Sequence, residues 1–154
     1  MTIRKATLKD NDLVLNLLDE FREDCIEQIT GKPGKSDSAM TKGTLIYESL
    51  LNRKDYTIFL LFDSDSKPVG IITGYLCPML RSGEMRAEVE EFYVKKEYRG
   101  GDNAKKLMNY FIDWCKDNNV QKVNLESDNE LSRAHGFYEK YGFESKARRF
   151  VKKL

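Results

Sequence analysis

A glycine turn between a strand and a helix is the part of this chain best suited to chemistry. Arg99, Gly100 and Gly101 follow a run of apolar and acidic residues and precede an amphipathic helix that begins near Asn103. The first amides of a helix have no partner within it, and the helix dipole adds partial positive charge there. Glycine lets the backbone approach a ligand closely. The turn therefore predicts a site for a phosphate group.

Six strands and four helices are predicted around this turn. The strand segments alternate or are continuously apolar, and we assign them to residues 2–7, 56–62, 69–76, 85–94, 120–127 and 143–151. The helical segments repeat apolar residues at helical spacing, and we assign them to residues 10–29, 41–51, 103–117 and about 129–141. Hairpins come before a helical crossover in this order, so we expect a mixed sheet.

Length, charge and cysteine usage are those of an ordinary globular protein. At 154 residues the chain is expected to form one domain, residues 1–154. The formal net charge of +1 gives no reason to expect a nucleic-acid partner, and no apolar run is long enough to cross a membrane. The three cysteines are scattered, so we expect neither a metal nor disulfides. Reduced cysteines and a charged N-terminus favour a cytoplasmic location.

Two segments resemble motifs of the GCN5-related N-acetyltransferase (GNAT) family. Residues Arg99–Ala104, RGGDNA, are similar to its pyrophosphate loop, Q/R-x-x-G-x-G/A, except that Asp102 stands where the family has its inner glycine. Residues Ala134–Phe143, AHGFYEKYGF, are similar to its A-x-x-F-Y-x-K-x-G-F signature. Both segments occur in the expected order and on the expected elements, and the resemblance extends over essentially the whole chain.

The resemblance implies the acyl-CoA N-acyltransferase fold, with acetyl-CoA as co-substrate. That α/β fold has a mixed, mostly antiparallel sheet of six to seven strands flanked by about four helices. The peptide-like pantetheine arm would pair with a strand edge, and backbone amides of the loop would hold the pyrophosphate. Asp102 would then point outward, and Arg99 would offset its charge. The implied cofactor-binding residues are Phe92, Tyr93, Val94, Arg99, Gly100, Gly101, Asp102, Asn103 and Ala104.

The resemblance also assigns roles in acetyl transfer. An N–H of Phe92 or Tyr93 would polarise the acetyl carbonyl. Tyr138, which stays protonated at neutral pH, would be the acid for the departing thiolate. A carboxylate would act as general base for the amine. Glu90 is the first choice, because in a regular strand it shares a face with Phe92; a bulge would shift that parity, so Glu91 remains a candidate, as does Glu88.

The acceptor is expected to be a primary amine of a small molecule or a peptide. The first helix is acidic and would form one wall of the acceptor site, where carboxylates favour a cation, although a solvated face explains most of these residues better. A homodimer is possible. Asp102 in the loop leaves a second hypothesis open, a non-catalytic regulatory module that binds acetyl-CoA.

Overall fold

One mixed sheet of five strands organises the protein. The computed structural model describes residues 1–154. The strands are β1 (Thr2–Lys5), β2 (Tyr56–Phe62), β3 (Pro68–Pro78), β4 (Met85–Val94) and β5 (Val120–Leu125). They lie in the order β1-β2-β3-β4-β5. The first three pairings are antiparallel, and β5 runs parallel to β4. The predicted α/β class and mixed sheet are therefore confirmed.

Five α-helices flank the sheet. They are α1 (Asn11–Thr30), α2 (Ser38–Lys42), α3 (Tyr47–Leu51), α4 (Asn103–Asp117) and α5 (Ser132–Tyr141). Short 3-10 turns cover Leu8–Asp10, Gly43–Leu45 and Lys96–Tyr98. The long helix α1 ends where Gly31 takes a left-handed conformation, with φ of 69°, which glycine adopts without strain.

Each face of the sheet carries its own apolar core. Under α4, Phe111, Leu107 and Met108 are fully buried against side chains of β2, β3 and β4. On the other face, Val14 and Leu17 of α1 pack on the alternate residues of the same strands. Because both faces of β2 are covered, all seven of its residues are buried.

The predicted count of six to seven strands is wrong, because residues 143–151 form no strand. None of the backbone groups of residues 144–154 is hydrogen-bonded to another backbone group. Phe143 packs on the rings of Tyr138 and Tyr141, but Phe150 is 90% exposed. The alternation of apolar residues in this segment is broken by Arg149, so it has no continuous apolar face to bury.

Two helix predictions also need correction. The single helix predicted for residues 41–51 is two short helices, α2 and α3, separated by the turn at Gly43–Leu45. For this reason the protein has five α-helices, whereas four are predicted. The last helix begins at Ser132, later than predicted. By contrast, α4 begins at Asn103 and ends at Asp117, as its sequence pattern predicts. No helix is both long enough and apolar enough to pass through a membrane.

Candidate active site

A β-bulge in β4 opens the sheet at the centre of the molecule. Thr73 of β3 pairs with Glu91, whereas the next residue, Gly74, pairs with Val89, so Glu90 is the extra residue. On its other side, β4 pairs with β5 only as far as Val89. Beyond the bulge the two parallel strands separate. A cleft of about 1990 Å³ lies there, lined by β4, the loop after it, β5 and α5.

The backbone of Phe92 faces this opening. The N–H groups of a strand point alternately to its two neighbours. Glu91 N–H donates to Thr73 Oγ1 and Lys95 N–H donates to the Val69 carbonyl, and both acceptors are on β3. The N–H groups of Phe92 and Val94 must therefore point away from β3, into the cleft. Of the two amides predicted to polarise a carbonyl, Phe92 rather than Tyr93 has the required direction.

The glycine turn presents unpaired amides, as an anion site requires. None of the N–H groups from Gly100 to Ala104 donates to an acceptor within the chain. Gly100 has φ of +87°, and an added Cβ at Gly100 or Gly101 would meet nothing within 4 Å. These amides lie at or just before the N-terminus of α4, where the helix dipole favours negative charge. The turn therefore has the free donors and the open space that a pyrophosphate needs.

Asp102 is exposed to solvent, whereas the Arg99 side chain is hydrogen-bonded within the protein. Asp102 is exposed and occupies the N-cap of α4, but its carboxylate makes no capping hydrogen bond. Arg99 points away from the loop: its Nε donates to the Val94 carbonyl and its Nη2 to Asp24 Oδ2 at 2.7 Å. Its guanidinium also lies 5.3 Å from the centre of the Tyr93 ring. Arg99 therefore anchors the loop internally, and it forms no hydrogen bond or ion pair with Asp102.

The two central glutamates lie on the same face of the sheet because of the bulge. Glu90 accepts a hydrogen bond from the buried Tyr56 hydroxyl, on the α1 face. Phe92 packs on the opposite face, in the core under α4. The expectation that Glu90 shares a face with Phe92 is thus wrong: the extra residue in β4 reverses the alternation.

Glu91 has the more unusual environment of the two. Burial, with a smaller contribution from the nearby charge of Glu90, raises the pKa of the Glu91 carboxyl to about 7, against a lowering by Arg22 of α1. Both glutamates line the cleft, but Glu90 is exposed while Glu91 is partly buried. Glu88 lies two residues before Glu90 on β4 and forms an ion pair with Arg86 at 2.9 Å. Its charge is therefore already compensated.

Tyr138 reaches the same cleft from α5. Its ring packs 6.3 Å from Phe92 and 5.9 Å from Phe143. Burial raises the pKa of its hydroxyl to about 12, with a smaller contribution from the Cys25 thiol of α1. The hydroxyl makes no hydrogen bond within the chain and is protonated over the whole neutral range. It is both a core residue and a free donor at the cleft.

Most acidic side chains of α1 are bound within the protein. Asp10, immediately before the helix, accepts from Arg4 and Thr7, and Asp19 accepts from Ser36 and the amides at the start of α2. The acids Glu20, Asp24 and Glu27 pair with cations of the β4–α4 connection. The expected acidic wall for an amine acceptor is therefore largely structural.

Gly74 and Tyr56 are site residues that the sequence patterns did not identify. A Cβ at Gly74 would lie 2.3 Å from the Glu88 carbonyl and 2.7 Å from the Phe111 ring, so only glycine is compatible with the bulge. A lone glycine inside an apolar strand is a signal for a bulge. Tyr56 has no such signal, since its partner Glu90 is 34 residues away.

The sequence comparison identifies the family. Residues 15–143 match the model of the acetyltransferase (GNAT) family. This match spans most of the chain, which therefore belongs to the GNAT acetyltransferases. No curated protein matches the chain. The family generally uses acetyl-CoA, and no group of three or more histidine, cysteine or acidic side chains in the structure is arranged to hold a metal ion.

Solved structures share this fold across their whole length. A mutant of the BH1408 protein from Bacillus halodurans has a TM-score of 0.83 at 19% identity, covering 100% of this chain and 99% of that one. An aminoglycoside acetyltransferase from an uncultured soil metagenomic sample has a TM-score of 0.78 at 15% identity, covering 99% of this chain and 97% of that one. A ribosomal-protein-alanine N-acetyltransferase from Brucella melitensis biovar Abortus has a TM-score of 0.75 at 19% identity, covering 100% of both chains. At these identities the likeness establishes the fold alone.

Proposed function

We propose that the protein transfers the acetyl group of acetyl-CoA to a primary amine, by direct transfer in a ternary complex. The observation that carries this proposal is the grouping of a desolvated carboxylate, a free strand amide and a protonated tyrosine around one cleft. These are the groups needed to activate an amine, polarise a carbonyl and protonate a leaving thiolate. Acetyl-CoA supplies the acetyl thioester as a co-substrate.

The chain's own backbone would bind that co-substrate. The free amides of Gly100 to Ala104 are suited to the pyrophosphate, and they keep this role even with Asp102 in the loop, because amides rather than side chains do the binding. The unpaired edge of β4 at Phe92 and Val94 is suited to the amide groups of pantetheine. Phe92 N–H would then donate to the thioester carbonyl oxygen as negative charge develops there.

Glu91 is the general base in this proposal, with Glu90 beside it. An amine attacks only in its neutral form, and a carboxyl with a pKa of about 7 can take up its proton near physiological pH. Glu90 is exposed and held by Tyr56, and it raises the pKa of Glu91. Its charge would also attract the ammonium form of the acceptor. Either glutamate was a candidate from the sequence; burial favours Glu91.

Tyr138 is the general acid. Its pKa of about 12 ensures that the hydroxyl carries its proton at neutral pH. The thiolate leaves on the side of the cleft lined by α5, and Tyr138 would return a proton to it. An ammonium group loses two protons on becoming an amide. Glu91 would accept them in turn and pass them to solvent, and Tyr138 would take one proton back from solvent, so each cycle releases one net proton and restores both side chains.

Thiol release from acetyl-CoA across a panel of amines tests the proposal. The panel should include polyamines, aminoglycosides and peptides with free N-termini. Proteins of similar fold include both an aminoglycoside acetyltransferase and a ribosomal-protein-alanine N-acetyltransferase. We expect turnover with at least one amine and loss of it in Glu91→Gln and Tyr138→Phe. Binding of acetyl-CoA without turnover of any amine would refute the proposed acetyltransferase activity and favour the second hypothesis, a non-catalytic regulatory module.

A further inference from the structure

A row of ion pairs fastens the cofactor loop to α1. Glu20, Asp24 and Glu27 are spaced four and three residues apart, so they lie on one face of the helix. They face Lys95, Arg99 and Lys96 of the connection between β4 and α4. Lys95 reaches Glu20 at 2.9 Å, Arg99 reaches Asp24 at 2.7 Å, and Lys96 bridges Asp24 at 3.3 Å and also contacts Glu27.

Asp24 is the central member of this row and the only buried carboxylate in it. Its side chain is 5% exposed, against 41% for Glu20 and 45% for Glu27. Asp24 Oδ2 accepts from both Arg99 and Gln28. Exposed ion pairs contribute little because water screens them, whereas removing one partner of a buried pair leaves an uncompensated charge.

Arg99 transmits this contact to the loop. Its side chain is only 16% exposed. It joins Asp24 to the Val94 carbonyl at the end of β4 and lies against the Tyr93 ring. Arg99 is next to Gly100, the residue whose left-handed φ shapes the turn. The position of the free amides therefore depends on where Arg99 is held.

We infer that Asp24 is a positioning residue for CoA binding, acting through Arg99. Without its carboxylate, the guanidinium would be buried with no counter-ion and would turn toward water. The turn at Gly100 would then lose its fixed place relative to Val94, and its free amides would be displaced with it. This inference rests on the proposed binding of acetyl-CoA at the turn. It predicts weaker cofactor binding with little effect on the chemical step.

Titration calorimetry with CoA tests the inference without requiring turnover. Asp24→Asn keeps the size of the side chain and should raise the Kd for CoA at least about tenfold, since small displacements of binding groups have effects of this size. Glu20→Gln, an exposed member of the same row, should change the Kd less than about twofold. In turnover assays, Asp24→Asn should raise KM for acetyl-CoA and leave kcat and the amine KM nearly unchanged.

A double-mutant cycle separates positioning from a general loss of stability. In an Arg99→Met background, Asp24→Asn should have little further effect on the Kd, because its buried link to the loop is already removed and its remaining contact, with the exposed Lys96, contributes little. Additive effects, or an unchanged Kd in Asp24→Asn with a lowered unfolding temperature, would overturn the inference while the proposed function stands. Absence of CoA binding by the unmodified protein would overturn both.

Discussion

Glu91→Gln should stabilise the protein above neutral pH while strongly reducing activity. The pKa of Glu91 rises from an ordinary 4.5 to about 7, and each unit corresponds to about 1.4 kcal/mol. Ionising this side chain in the folded protein therefore costs about 3 kcal/mol. Glutamine resembles the protonated carboxyl in size and carries no charge, so the variant does not incur this cost.

The sign of the pH dependence follows from the raised pKa. Between pH 4.5 and 7 the folded protein keeps a proton on Glu91 that the unfolded chain has lost, so the free energy of unfolding falls as pH rises through this window. The variant lacks that decrease. At about pH 4.5 the two proteins should be similarly stable, and at about pH 8 the variant should be more stable by up to about 3 kcal/mol.

Urea unfolding followed by fluorescence measures this difference. Trp114 is the only tryptophan and packs 5.4 Å from the Phe111 ring in the core, so it reports on unfolding. Glu48→Gln, at an exposed position of α3, is the control and should retain the pH dependence of the unmodified protein. Parallel pH profiles for the unmodified protein and Glu91→Gln would refute the desolvation of Glu91 and its selection as base. The activity of Glu91→Gln should fall by about 10² to 10³.

Three further substitutions test other parts of the site. Glu90→Gln removes a charge that raises the pKa of Glu91, so the rising limb of kcat/KM against pH should move to lower pH; a limb that stays in place would show that Glu90 has no such influence. Tyr138→Phe should lower kcat by about 10² or more with little change in unfolding temperature, because the ring contacts with Phe92 and Phe143 remain; unchanged turnover removes Tyr138 from the mechanism. Gly74→Ala forces a methyl group against the Glu88 carbonyl and the Phe111 ring and should reduce the free energy of unfolding by about 3 kcal/mol in urea titrations, whereas Gly101→Ala, with open space around it, should not.

Local signals in the sequence are sufficient for the elements around the loop. The helix α4 is predicted from its start at Asn103 to its end at Asp117, because glycines precede it and asparagines follow it. The glycine turn and the helix that carries Tyr138 are likewise short-range features. Residues 143–151 fail as a strand because a strand also needs a partner and a buried face, and neither property is encoded within the segment.

The sequence patterns do not predict which side chains pair across long stretches of the chain. Glu20, Asp24 and Glu27 are indistinguishable from solvated surface residues until Lys95, Lys96 and Arg99 are brought against them. Glu90 and Glu91 are adjacent acids whose difference arises from the hydrogen bond between Glu90 and Tyr56 and from the burial of Glu91. Helical and strand periodicity describe one element at a time, so they do not reveal which charges become buried or paired.

The bulge explains why the cleft and the two glutamates occur together. One extra residue in β4 increases the local twist, and β5 leaves the strand at that point. The same extra residue turns Glu90 and Glu91 to one face and leaves Phe92 N–H without a partner strand. Opening the sheet, orienting the base and freeing the carbonyl-binding amide are therefore consequences of a single backbone irregularity. Gly74 makes that irregularity possible, so a substitution there should impair binding and catalysis together, whereas substitutions at Glu91 or Asp24 should separate them.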